Sequence, residues 1–226
     1  MQSTIYTNLS EWIVLITSIT ALVFSIVYRS KKSIRPIQFY IIISVVNSVF
    51  LKSFDFLPSL ANHIEIIRIV VNTYSLLEIS SIFYFYFIQF KLKKYRDTLI
   101  VLYSLYIGCC MIFWLIKGMT VSFIPANFGI ENLLITIASL YYIFTFLKSG
   151  ELIDFKSSPG FFASCGILFY FSITTPYFVI YSILSSASIS YTDEFSNVNY
   201  LSYSLLFISF IKAYLCPKPK FKYLPS

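Results

Sequence analysis

The sequence predicts an all-α, polytopic membrane protein: one bundle of seven transmembrane helices, with the N-terminus outside and the C-terminus in the cytoplasm. This prediction rests on the composition, the apolar stretches and the placement of the basic residues. Of the 226 residues, 58% are hydrophobic and 12% are charged, and the mean hydropathy is +0.77. A soluble domain carries about a quarter charged residues. One soluble core cannot enclose so much apolar surface, so the excess is expected to face lipid.

Seven apolar stretches approach the length that crosses a bilayer, which takes a helix of about 20 residues with every backbone group paired internally. They cover residues 12–28, 37–51, 66–89, 98–116, 128–147, 160–184 and 197–215. The first stretch precedes Arg29, the first basic residue. It therefore lacks the charge order of a cleavable signal peptide and is expected to remain as a span. The second stretch is the shortest, and must begin at Pro36 or extend past Lys52 to cross.

The basic residues lie on alternate connections between these stretches. On one side are 14 of the 17, namely Arg29, Lys31, Lys32, Arg35, Lys91, Lys93, Lys94, Arg96, Lys148, Lys156, Lys212, Lys218, Lys220 and Lys222. Only Lys52, Arg68 and Lys117 remain for the other side. Cytoplasmic loops carry the excess of Lys and Arg, which predicts the orientation given above. Residues 217–226 are expected to form a basic tail on the anionic inner leaflet.

One ionisable side chain lies midway along the third stretch, where a charge is costly and indicates a candidate site. At about 100° per residue, Tyr74, Glu78 and Ser81 fall within a sector of roughly 60°. Asn72 is displaced around the helix from this polar stripe. The functional interpretation is a carboxylate that contacts a ligand or carries a proton. The structural interpretation is a buried Glu78 that is hydrogen-bonded to tyrosines or asparagines of neighbouring helices.

A second group of polar residues is predicted near the outer ends of three spans. It consists of Arg68, Glu131, Asn132, Asn197 and Asn199. The depths of Arg68 and Glu131 match, so these two can form an ion pair if the third and fifth helices are neighbours. The functional interpretation is a polar pocket that opens outward, and the alternative is a set of interface residues that reach headgroups and water.

No motif in the sequence indicates an enzyme, a cofactor, a metal site or a nucleic-acid surface. The four cysteines, Cys109, Cys110, Cys165 and Cys216, have the spacing of neither a metal site nor a disulfide framework. His63 is the only histidine, so no metal cluster or nucleophile–histidine arrangement is expected. The net charge of +7 comes from short basic clusters between apolar stretches, which fits the lipid bilayer as a partner and not nucleic acid.

The whole chain resembles an uncharacterised family of small bacterial seven-transmembrane proteins. The resemblance rests on NTYSLLE at 72–78, on SPGFF at 158–162 leading to GILFYFS at 166–172, and on Asn199 at the start of the last span. The family often has Trp where this chain has Phe162. In the family that this chain resembles, the genes often lie next to sensor histidine kinase genes. This resemblance implies a signalling role in the bacterial cytoplasmic (inner) membrane.

Two functions are therefore expected as alternatives. The first is a non-enzymatic sensory or interaction component of a membrane signalling system, with a cytoplasmic or membrane protein partner such as a sensor kinase. The second is a small-solute or proton-linked transporter that uses Glu78 as its midplane carboxylate. The inverted, Gly- and Pro-broken half-helices that typify ion-coupled transport are not evident in the sequence.

Overall fold

The computed structural model describes residues 2–28, 32–56, 64–118, 125–148, 157–186 and 192–217. These residues form seven α-helices and one 3₁₀ turn. The elements are α1 (Gln2–Val27), the 3₁₀ turn (Lys32–Ile34), α2 (Arg35–Phe56), α3 (Ile64–Gln89), α4 (Lys93–Lys117), α5 (Pro125–Lys148), α6 (Pro159–Ser186) and α7 (Thr192–Leu215). His63 and the predicted tail beyond Pro217 lie outside the described residues.

The seven helices are long and apolar enough to cross a membrane, which confirms the predicted number of long apolar helices. Each helix begins before its apolar stretch, and α2, α4, α5 and α6 also end after theirs, because helical hydrogen bonding continues into polar flanks. The short second stretch is part of a 22-residue helix that begins at Arg35. The fourth begins five residues before its predicted start, at Lys93, and ends before Gly118, whose φ of 87° is one that side chains disfavour.

Six of the helices form a closed ring in the order α1, α2, α3, α5, α6, α7 and back to α1. Helix α4 packs against α3 at the side of this ring. Helix α3 therefore contacts α2, α4 and α5, so the third and fifth helices are neighbours, as an Arg68–Glu131 pair would require. We call the end where α1, α3, α5 and α7 begin the N-terminal end of the bundle, and the opposite end its C-terminal end.

Hydrogen bonds fix the C-terminal end of the bundle around the 3₁₀ turn. Gln89 Nε2 at the end of α3 donates to the Ser33 carbonyl over 2.8 Å. Tyr214 Oη at the end of α7 donates to the Ile34 carbonyl over 3.3 Å. The turn thus joins α3 and α7 and determines where α2 begins. At the N-terminal end, Glu11 of α1 forms an ion pair with Lys52 of α2.

Each helix buries one face and leaves apolar side chains exposed on the other. Between 22% and 39% of the residues in each apolar segment are buried. The exposed face of α4 carries Leu105, Ile112, Leu115 and Ile116. A soluble protein rarely exposes large contiguous apolar patches, so this surface fits the lipid-facing exterior that the composition predicts.

Candidate functional site

The candidate site is centred on Glu78, which lies midway along α3 and faces the inside of the bundle. Its carboxyl oxygen Oε1 accepts a hydrogen bond from Tyr40 Oη of α2 over 2.9 Å. The same oxygen accepts a second from Tyr74 Oη over 3.2 Å, one turn earlier in α3. Glu78 is 7% exposed and Tyr40 is fully buried. The predicted polar stripe therefore points inward.

The network continues from Tyr74 to α7. Tyr74 Oη lies 2.7 Å from Tyr203 Oη and 3.3 Å from Ser44 Oγ of α2. A tyrosine hydroxyl has one proton, so if Tyr74 donates to Glu78, the short contact with Tyr203 requires Tyr203 to donate to Tyr74. The Tyr203 ring also packs against the Tyr170 ring of α6, with centroids 4.9 Å apart. Four helices thus meet around a directed chain of hydroxyls that ends on the carboxyl.

Glu131 of α5 forms a second buried carboxyl site next to α3. Its oxygen Oε2 accepts hydrogen bonds from Ser75 Oγ of α3 and from Tyr106 Oη of α4, the latter over 3.1 Å. Glu131 is 1% exposed, and its Oε1 has no hydrogen-bond partner among the described residues. Adjacent residues of α3, Tyr74 and Ser75, therefore lead to two different carboxyls.

The two sites share an unusual chemistry. Each carboxyl has two hydroxyl donors on one oxygen, and among the described residues no Lys or Arg lies within ion-pair distance of either. Burying a carboxylate without a cation is costly. Such a group can hold a proton, or can bind a cation or a polar donor at the oxygen that lacks one. These are the two chemical capacities of the arrangement.

The other two residues of the predicted intramembrane site, Asn72 and Ser81, do not bond to the Glu78 carboxyl. Asn72 is buried, at 1% exposure, two turns before Glu78. Ser81 is also buried, but its hydroxyl donates to the Leu77 carbonyl of its own helix over 2.6 Å. Ser81 instead lines a groove between α2 and α3. Tyr74 and Glu78 therefore form the part of the stripe that the structure brings together.

The predicted outer cluster is dispersed among three places. Asn132 Nδ2 donates to Thr174 Oγ1 of α6 over 3.0 Å, and Asn197 Oδ1 accepts from Ser10 Oγ of α1 over 2.8 Å. Asn199 is half-buried in α7, one turn before Tyr203. These contacts join pairs of helices, so this group forms no shared pocket among the described residues.

The expected Arg68–Glu131 ion pair is not present among the described residues. Glu131 bonds to Ser75, which follows Arg68 by two turns, or about 10 Å along the axis. The Arg68 side chain is exposed near the N-terminal end. The two residues therefore differ in depth, and Glu131 belongs with the interior of the bundle.

Sequence reasoning missed the residues that donate to the two carboxyls from other helices. These are Tyr40 for Glu78 and Tyr106 for Glu131, together with Ser44 and Tyr203, which contact Tyr74. The chain has 19 tyrosines, and a single sequence does not show which of them face the third helix. The spacing of Tyr40 and Ser44, one turn apart on α2, was the one signal of a polar face.

The fold and the site together define an all-helical bundle with seven helices able to cross a membrane and buried carboxyls in its interior. Among the described residues, no group of three or more His, Cys, Asp or Glu is arranged to hold a metal ion. The sequence matches no known protein family, and neither a curated protein nor a solved structure proved similar to it. The function is therefore inferred from the chain itself.

Proposed function

We propose that this chain is a non-enzymatic sensory or interaction component of a membrane signalling system. In this proposal it spans the bacterial cytoplasmic (inner) membrane seven times, with its N-terminus outside and its C-terminus in the cytoplasm. The distribution of basic residues supports this orientation. The C-terminal end of the bundle then faces the cytoplasm, and the N-terminal end faces outward.

One observation carries the sensory role: α3 connects two buried carboxyls through adjacent residues. Tyr74 links Glu78 to Ser44 of α2 and Tyr203 of α7. Ser75 links α3 to Glu131 of α5, which also accepts from Tyr106 of α4. A proton or ligand that changes the charge of either carboxyl alters hydrogen bonds between α3 and its neighbours. An unpaired polar group in a buried network is energetically costly. A local change in charge there therefore favours a shift in helix packing that restores the hydrogen bonds.

A partner on the cytoplasmic side is the second part of the proposal. Lys93 and Lys94 are exposed at the start of α4, at the C-terminal end of the bundle. Basic surfaces of this kind steer association with an acidic partner. The family resemblance favours a sensor kinase, which is itself a membrane protein with a cytoplasmic body. We therefore expect the partner to contact this end.

Photo-crosslinking in native membranes tests the role. A photoreactive residue at position 93 or 94 should crosslink to a membrane or cytoplasmic protein, and one at position 65, exposed at the opposite end, should not. The Glu78→Gln and Glu131→Gln variants should change the crosslinking yield at 93 without changing the amount of folded protein. If every position crosslinks to lipid or to the chain itself and never to another protein, the sensory proposal is contradicted.

A proton-linked transporter is the second candidate, and the hydroxyl chain favours it. Tyr203, Tyr74, Glu78 and Tyr40 are joined by steps of at most 3.2 Å across the bundle, and such chains can carry protons. If this function holds, proteoliposomes move a solute or protons, and Glu78→Gln changes the pH dependence of that flux. Flux that is unchanged in Glu78→Gln would exclude this carboxyl as the carrier.

A further inference from the structure

A groove between α2 and α3 opens on the surface of the bundle near its C-terminal end. It has a volume of about 580 Å³ and is lined by Arg35, Pro36, Phe39, Ser81, Tyr84 and Ile88. This volume is within the range of small-molecule sites. From Ile88 to Ser81 the groove follows α3 for two turns, or about 10 Å. It therefore runs from the end of the helices toward the middle of the bundle.

The groove has one charged end and apolar walls. Arg35 is exposed at the mouth, where α2 begins, and the N-terminus of a helix also carries a partial positive charge. Along the walls, Phe39 is 50% exposed, Tyr84 58% and Ile88 41%. The arrangement thus has a cationic head and an apolar length, both accessible from the side of the bundle that would face lipid.

The position of Arg35 is fixed by contacts that do not involve its own side chain. The two preceding carbonyls, of Ser33 and Ile34, accept the hydrogen bonds from Gln89 and Tyr214. Ile34, Pro36 and Ile37 are buried around it. Because the backbone at Arg35 is anchored to α3 and α7, the guanidinium is presented at the mouth of the groove and is not on a loose loop.

We propose that this groove binds one anionic phospholipid, with its phosphate at Arg35 and the upper part of an acyl chain along Phe39, Tyr84 and Ile88. Guanidinium groups bind phosphate through paired, charge-assisted hydrogen bonds. The described basic residues Lys93, Lys94 and Lys212 at the same end of the bundle add to the positive potential there. A soluble phosphate compound would leave the apolar walls in contact with water, whereas a phospholipid covers them.

The groove is adjacent to the candidate site, which gives lipid binding a route to it. Phe39 precedes Tyr40, the residue that donates to Glu78, and Ser81 follows Glu78 by about one turn. An acyl chain against Phe39 and Ser81 would therefore contact the segments of α2 and α3 that hold the Tyr40–Glu78 hydrogen bond. The Tyr40–Glu78 hydrogen bond can then respond to the lipid composition of the membrane.

Native mass spectrometry of the purified protein tests the site, with palmitoyl-oleoyl phosphatidylglycerol compared with the phosphatidylcholine of the same chains. We expect the first phosphatidylglycerol to bind about tenfold more weakly in Arg35→Gln, because a charged hydrogen-bond partner is lost. Arg96→Gln is the matched control, since Arg96 is basic, lies at the same end and packs on Phe87 outside the groove. Binding to this control should change by less than about twofold, as for a rim charge.

A second pair of variants tests the apolar wall. Phe39→Ala should weaken the same binding step about threefold or more through lost apolar contact, and Phe169→Ala, an exposed phenylalanine of α6, should not. Arg35→Lys keeps the charge and should restore part of the affinity if Arg35→Gln is poorly folded. Equal effects of the Arg35 and Arg96 variants, equal affinity for phosphatidylcholine, or full displacement by inorganic phosphate would overturn the proposal. Because binding is measured on the isolated protein, its failure would leave the sensory proposal standing.

Discussion

Glu78 accepts both of its hydrogen bonds at the same oxygen, and this geometry sets what each substitution removes. In Glu78→Gln the amide oxygen can still accept from Tyr40 and Tyr74. In Glu78→Leu the fully buried Tyr40 hydroxyl loses its acceptor. We expect thermal stability in detergent to be near wild type in the Gln variant, and to fall by about 1–3 kcal/mol in the Leu variant.

The contrary result has an equally clear meaning. If Glu78→Leu is as stable as wild type or more stable, the carboxyl is kept at a cost to folding and its role is functional. The comparison separates the structural and functional interpretations of Glu78, which the sequence alone left open.

Tyr40 offers a test from the donor side. Tyr40→Phe removes one of the two donors to Glu78 and leaves the ring in place against Phe210, 5.7 Å away. We expect a loss of about 1–2 kcal/mol in thermal unfolding, because the carboxyl keeps one donor only. Tyr84→Phe, where the side chain is 58% exposed, is the matched control and should change stability by less than about 0.5 kcal/mol. Equal losses would mean that the hydroxyl at 40 contributes nothing specific.

The part of the site that lies within one helix was predictable, and the part that joins helices was not. Tyr74 and Glu78 are four residues apart, a spacing that places both on one helix face whatever the tertiary structure. Tyr40 and Tyr203 reach the same place from helices whose rotation depends on packing. Glu131 was predicted at the depth of Arg68, because counting from apolar boundaries ignores how far a helix continues into its flanks.

Two glycines lie where neighbouring helices approach closely and a third faces open space, so the three allow a graded test. A Cβ at Gly166 would lie 2.5 Å from Ser209 Cβ of α7, and one at Gly160 would lie 2.6 Å from Gln89 Oε1 of α3. Nothing lies within 4 Å of the corresponding position at Gly108. We expect Gly166→Ala to destabilise by about 1–3 kcal/mol through overpacking.

Gly160→Ala should cost less than Gly166→Ala, since the Gln89 side chain can move, although it then loses its bond to the Ser33 carbonyl. Gly108→Ala should be neutral or stabilising by up to about 1 kcal/mol, from helix propensity. Thermal unfolding of the three purified variants gives the order. Destabilisation by Gly108→Ala as large as that by Gly166→Ala would contradict the helix packing described above.

The contact between α3 and α5 can be isolated with a double-mutant cycle. Ser75→Ala and Glu131→Leu remove the donor and the acceptor of one hydrogen bond, so their effects on stability should deviate from additivity by about 0.5–3 kcal/mol. Ser75→Ala combined with Ser139→Ala is the control, because Ser139 bonds to Tyr86, more than two turns further along both helices. That pair should be additive within about 0.5 kcal/mol. Additivity in both pairs would show that the Ser75–Glu131 bond carries no coupling.

The number of helices was predictable because the bilayer imposes a length that hydropathy can detect. The ends were not, since Arg35, Lys93 and other polar residues extend helices without adding to the apolar signal. For the same reason the second stretch seemed too short, although α2 has 22 residues.

The whole bundle has an orientation that accessibility can determine. In a variant without Cys109, Cys110, Cys165 and Cys216, cysteines would be introduced at the exposed positions Glu65 and Lys94, at opposite ends. A membrane-impermeant maleimide should label Glu65→Cys in intact cells. It should label Lys94→Cys only after the cells are permeabilised, because basic loops stay in the cytoplasm. Labelling with the reverse pattern would invert the proposed topology.

The order of the helices around the ring was not predictable from the sequence. Short connections make consecutive helices antiparallel, but the closure of α7 on α1 and the position of α4 at the side of the ring depend on which faces complement each other. The exposed apolar side chains of α4 gave no periodic signal that separated it from the others, because every helix is apolar on its outer face as well.

The directed chain of hydroxyls from Tyr203 through Tyr74 to Glu78 has a consequence for communication across the bundle. While the carboxyl accepts, every hydroxyl in the chain points toward it. If Glu78 takes up a proton and donates to Tyr74, then Tyr74 turns its own proton toward Tyr203 or toward Ser44. In the first case Tyr203 must donate to another acceptor. Hydrogen-bond chains polarise one another in this way. When Tyr74 turns toward Tyr203, the charge state of Glu78 on α3 thus determines the direction in which the Tyr203 hydroxyl on α7 points. This coupling requires no displacement of the backbone.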